Sequence, residues 1–106
     1  MQEIKELISQ LSKNIVDELH DAEKYAKSAL YYKNERQTLA ELYYSLSLDE
    51  MKHMNQLHNS VVKMIDEAKG DGEEIQERTQ ETYSCLHELF IEKSKEIRML
   101  QTMFRE

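Results

Sequence analysis

The chain has 106 residues, 14 Lys and Arg against 21 Asp and Glu, a formal charge of −7, no proline and only two glycines. Such a length supports one domain, too little for a TIM barrel or a full dinucleotide-binding fold. So few turn residues cannot supply the tight turns of a β-sandwich, and the abundant Glu, Lys, Leu, Gln, Met and Ala are good helix formers. The composition therefore predicts a single all-α domain over 1–106.

The first predicted helix covers about 2–32. Ile4, Leu7, Leu11, Ile15, Ala22, Tyr25, Ala29 and Tyr32 recur at steps of three, four and seven, which traces one stripe on a helix. The stripe stops at Lys33-Asn34-Glu35-Arg36, a stretch with no apolar residue and an Asn suited to a left-handed stop. The second predicted helix covers about 37–69, with Leu39, Leu42, Tyr43, Leu46, Leu57, Val61, Met64 and Ile65 on its stripe. It ends at Lys69-Gly70-Asp71-Gly72, where Gly70 suits the position after a helix and Asp71 could cap the next one. The third covers about 73–104, with Ile75, Thr79, Thr82, Leu86, Leu89, Phe90, Ile97, Leu100 and Phe104. Each helix would be about 45 Å long, and the short connections make neighbours antiparallel.

Three such helices form an incomplete bundle. Tyr31, Tyr32, Tyr43, Tyr44, Met51, Met54, Met99, Met103 and Phe104 are many large groups for one small domain, so a homodimer or higher homo-oligomer is expected. Nucleic acid and anionic membrane are not expected partners, because the net charge is acidic and the basic residues are scattered among acids. The same mixing argues against a nucleic-acid mimic. No apolar run approaches the roughly 20 residues that span a bilayer. The first ten residues, MQEIKELISQ, are amphipathic and acidic, unlike a signal peptide, and the single Cys85 cannot close an internal disulfide; both point to the cytoplasm.

Chemistry enters where polar residues interrupt the stripes. On the first helix the run Leu11, Ile15, Glu18, Ala22, Tyr25 keeps its period through Glu18; on the second, Leu46, Glu50, His53, Leu57 does the same. Burying an ionised carboxylate alone costs several kcal/mol or more, so it needs a partner. With no Lys or Arg in the stripes, a metal cation is the candidate, held by Glu18, Glu50 and His53. If the first turn centres near residue 34, positions 18 and 50 are reflections of one another and stand level in the hairpin. The same three residues also fit a satisfied polar cluster or a wet subunit interface.

These residues carry a resemblance. Glu18-x-x-x-Ala22-x-x-Tyr25, followed about thirty residues later by Glu50-Met51-Lys52-His53, resembles the first two helices of the ferritin-like superfamily, over roughly residues 11–65. The resemblance implies a di-iron or manganese site, with Glu50 bridging, Glu18 and His53 as terminal ligands and Tyr25 beside them. It also implies Fe(II) oxidation, iron handling or peroxide reduction. Carboxylates with imidazole suit either ion. The family's second half is missing: Ser84-Cys85-Leu86-His87 has serine where Glu-x-x-His would need Glu. Either two chains pair their half-bundles around a two-fold axis to complete a four-helix or larger bundle, the preferred reading, or the third helix donates Glu92, His87 or Glu88. Reflection about residue 71 places Glu92 level with Glu50. Of the rest, Asp17 and His20 fall beside the stripe, on the surface. Asp21 lies one turn from Glu18, His58 is expected at an interface or exposed, and Cys85 is expected as a small core residue. Catalysis is left open, and a non-catalytic oligomerisation or interaction module with a vestigial or absent site is the alternative.

Overall fold

The structure is a computed structural model that describes the backbone of residues 2–70 and 77–106, with the side chains of 4–68 and 80–106. Three helices run in order: α1 (Gln2–Tyr32), α2 (Gln37–Gly70) and α3 (Glu77–Arg105). The all-α expectation holds, and α1 has the expected bounds. α2 runs one residue further, through Gly70. The expected start of α3 at 73, the Asp71 cap, Ile75 and the side chain of Thr79 lie outside the described residues. The described chain extends 56 × 19 × 17 Å.

The turn forms where apolar residues run out. Arg36 donates its backbone N–H to the Tyr32 carbonyl at 2.9 Å, and Ala40 donates to the Arg36 carbonyl at 2.9 Å, so one helix ends as the other begins.

A seven-residue repeat organises the core. Ile8, Ile15, Ala22 and Ala29 are buried on α1; Ala40, Ser47, Met54, Val61 and Ala68 on α2; Tyr83, Phe90, Ile97 and Phe104 on α3. A strict seven-residue spacing keeps each seam facing its partners, as in a left-handed coiled coil. At the turn end Ala29 and Ala40 pack with Phe104, and Ile8, Val61 and Tyr83 fill the other end. α3 packs mainly against α1 and touches α2 sparsely. Burying a Leu, Ile or Phe side chain contributes about 1.5–3 kcal/mol, so these seams dominate the stability.

The seams are rotated from the expected stripes. Leu7, Leu42, Thr82 and Leu89 are exposed, whereas Ile8, Leu19, Ala26, Ala40 and Tyr83 are buried. An apolar face spans 100° or more of a helix, and its flank is turned inward by the third helix, which the separate stripes do not locate. Cys85 is exposed, which corrects its expected place in the core. Of the large groups that suggested association, Met51, Met54 and Phe104 are buried, while Tyr31, Met99 and Met103 face outward.

Beside the buried seam of the hairpin runs a second seven-residue line. On α1 it is Ile4, Leu11, Glu18, Tyr25 and Tyr32; on α2 it is Tyr43, Glu50, Leu57 and Met64. All nine are half-buried, and only Glu18 and Glu50 carry charge.

Candidate metal centre

The hairpin brings Glu18, Glu50 and His53 together. They offer one ligand atom each, all within 4.8 Å of one another, and they are the one group of three such side chains among the described residues. Reflection about residue 34 therefore predicted the juxtaposition correctly. The antiparallel hairpin sets the level, and the three-residue spacing of Glu50 and His53 puts both side chains on one flank of α2.

The geometry is that of converging, incompletely satisfied groups. His53 Nδ1 lies 3.5 Å from Glu18 Oε2 and 3.8 Å from Glu50 Oε2. Side-chain exposure is 26% for Glu18, 19% for Glu50 and 53% for His53, so the carboxylates are recessed and the imidazole forms the mouth. Glu18 Oε2 is sealed from solvent and has no hydrogen-bond partner. A buried acceptor left in this way costs about 1–3 kcal/mol, more when charged. Among the described residues no Lys or Arg pairs with either carboxylate; the nearest cationic candidate is His53 itself, when protonated.

Two atoms that each bind one ion at about 2 Å are at most about 4 Å apart. The two His53 separations fall inside that limit. The donor set also fits: two oxygens and an imidazole nitrogen suit a hard-to-borderline divalent ion such as Fe(II) or Mn(II).

The other expected site residues are dispersed. The Tyr25 ring stacks on Tyr43 at 6.0 Å, and its hydroxyl is not hydrogen-bonded to Glu18 or Glu50. Asp17 and His20 are exposed, as expected, and Asp21 is half-buried outside the group of three. Glu88 is exposed, and Glu92 is exposed on the groove between α1 and α3, so α3 adds no ligand to the group.

His58 and His87 form a separate cluster, and His58 is half-buried rather than exposed. Their rings stack at 4.5 Å and 5° between α2 and α3. The Tyr83 hydroxyl lies 2.6 Å from His58 Nδ1. Burial pushes the Tyr83 phenol up to about 12, so it stays protonated in this hydrogen bond, whose direction follows the His58 tautomer. Burial, then the neighbouring His87, holds His58 below its ordinary value. The sequence held a signal for this cluster: reflection about 71 maps position 58 onto 84, between Tyr83 and His87.

On the far side of α1, Lys93 binds Glu23 and ties α3 to α1. Its hydrogen bond and charge hold the Glu23 carboxyl below the usual range, against a smaller opposing effect of burial.

Comparison of the chain with protein-family models, curated proteins and solved structures finds no match. The resemblance to ferritin-like half-bundles therefore rests on the quoted residues alone.

Proposed function

We propose that this chain is a ferritin-like metal-binding protein that holds Fe(II) or Mn(II) with Glu18, Glu50 and His53 and pairs with a second copy to complete its bundle. The observation that carries this reading is the sealed, unpartnered Glu18 oxygen aimed at Glu50 and His53. A carboxylate in that state is unfavourable without a cation, and the two carboxylates repel each other when both are ionised.

The half-buried line through Ile4, Leu11, Glu18, Tyr25, Tyr43, Glu50, Leu57 and Met64 supports the second copy. It repeats the buried seam's spacing but lies only half-covered, and Leu7 and Leu42 beside it are exposed. A further pair of helices laid along this line would bury it, and an isologous pairing would bring a second Glu18, Glu50 and His53 to the same axis. Two such sets could hold two ions close together. When bound, such a pair supplies one-electron chemistry toward dioxygen or peroxide. The protein's own part is to fix the ligands: Glu50 as the shared carboxylate, Glu18 and His53 as terminal donors, and apolar Leu11, Leu57 and Tyr25 to keep bulk water back.

The test is anaerobic titration with Fe(II) and with Mn(II), followed by calorimetry and by Mn(II) electron paramagnetic resonance. The expected result is about one ion per chain and a rise in melting temperature. Glu50→Ala should weaken binding by more than about 100-fold, since even residues that only support a ligand contribute 10–100-fold. No heat and no thermal shift with either ion would end this reading. Light scattering of the same sample tests the pairing: a monomer at micromolar concentration contradicts it.

A further inference from the structure

The sparse seam between α2 and α3 contains a second candidate site of opposite character. A cavity of about 230 Å3 opens there. Its floor is apolar, formed by Met54 and Phe90, both buried, with Ile91 at the rim. One end is walled by the stacked His58 and His87 rings, and Lys95 and Arg98 stand along the α3 side. Asn55 and Ser94 complete the lining, and no acid is among the lining residues, in a chain with 21 acids in 106 residues. Neither Lys95 nor Arg98 forms an ion pair with a described residue. Among the described residues, the other cations of this helix are engaged: Lys93 holds Glu23, and Arg105 holds Glu41 with two bonds of 3.2 Å.

We propose that this cavity binds a small organic anion, a carboxylate with an apolar body. The head group sits between Lys95 and Arg98, and the body lies on Phe90 and Met54 against the imidazole stack. Three features set the chemical class. The unpaired ammonium and guanidinium select negative charge, and a guanidinium fork matches a carboxylate. The apolar floor gains from covering by hydrocarbon or an aromatic ring and gives nothing to an inorganic ion. The volume lies below the roughly 300 Å3 where pockets for drug-sized ligands begin, which limits the body to a few carbons or one ring. The site shares no residue with Glu18, Glu50 or His53, so it stands or falls independently of the metal proposal.

The experiment uses the full chain, isotopically labelled, titrated with benzoate, its neutral analogue benzamide and inorganic phosphate, each read by nuclear magnetic resonance. Benzoate is expected to give saturable shifts of the His58 and His87 ring signals and of the Arg98 side chain. The double substitution Lys95→Gln, Arg98→Gln should weaken benzoate about tenfold or more, as expected for loss of charge-assisted hydrogen bonds. Both side chains are exposed and unpaired, so the variant should keep its helical circular dichroism. Ile91→Asp, which brings a negative charge to the rim, should abolish binding. The proposal is overturned if benzoate gives no saturable shift, if benzamide or phosphate binds as tightly as benzoate, or if the double variant binds benzoate unchanged.

Discussion

Two polar intrusions sit about one helical turn apart in the same hairpin, and they differ in what they lack. At one, Ser47 Oγ donates to the Ala22 carbonyl at 2.7 Å and accepts from Gln101 Nε2 at 2.9 Å, so one small network joins α1, α2 and α3. Ser47 and Gln101 are buried and paired. At the other, Glu18 is recessed to a similar depth on its inner oxygen, yet that oxygen has no hydrogen bond. The first satisfies its polar groups with the chain's own atoms; the second leaves a buried acceptor without a hydrogen bond.

Four measurements sharpen or break that contrast. The largest effect is expected at the satisfied network. Ser47→Ala removes both hydrogen bonds and leaves the buried Gln101 amide unpaired, which should cost about 1–3 kcal/mol. In a domain of this size each kcal/mol lowers the melting temperature by about 4–8 °C, and thermal denaturation reads it directly. A loss below about 0.5 kcal/mol would mean that water already satisfies the network.

Glu18→Gln without metal should act in the opposite direction. It removes an unpaired, recessed charge and its repulsion from Glu50, so stability should rise by about 1 kcal/mol while metal affinity falls. If the same substitution destabilises the metal-free chain, then His53 already satisfies Glu18 and the contrast fails.

The third measurement concerns the histidine stack. Because burial lowers His58 from its ordinary 6.5, the unfolded chain takes up that proton first as the solution is acidified. Its contribution to stability is therefore complete above pH 6.5 and is lost as the pH falls below it, toward the folded-state value. The melting temperature should fall from pH 7.5 to 5.5, and less steeply in His58→Phe. An identical slope in that variant would remove His58 from the account.

The smallest effect belongs to the surface. Lys93→Ala should cost about 0.2–1 kcal/mol, since the Lys93 side chain is 40% exposed, and the loss should shrink in high salt. The pair it breaks lowers Glu23 below its ordinary 4.5, so its contribution is present above that pH and disappears as acid titrates Glu23.

Much of this arrangement could be read from residue order. The limits of α1 and the start of α2 follow from where apolar periodicity stops at Lys33–Arg36, and a tight antiparallel turn makes level a matter of counting, which is why Glu18 and Glu50 meet. Counting from the second turn worked less well. Glu41 opposite Arg105, Ser47 opposite Gln101 and His58 opposite His87 place that centre about two positions beyond 71, so Glu92 never comes level with Glu50. Residue order also left open which flank of each stripe turns inward.

Helix class, the first hairpin and the acids within an apolar stripe were set by local spacing, because a 3.6-residue turn makes every helical face countable along the chain. Whether an acid there is paired or orphaned, and that His58, Tyr83 and His87 stack while Lys95 and Arg98 remain unpaired beside them, was decided only when α3 chose its rotation and lean against α1. Those choices depend on how bulky side chains such as Phe90 and Ile97 fill the space between three helices at once, which no single stripe encodes.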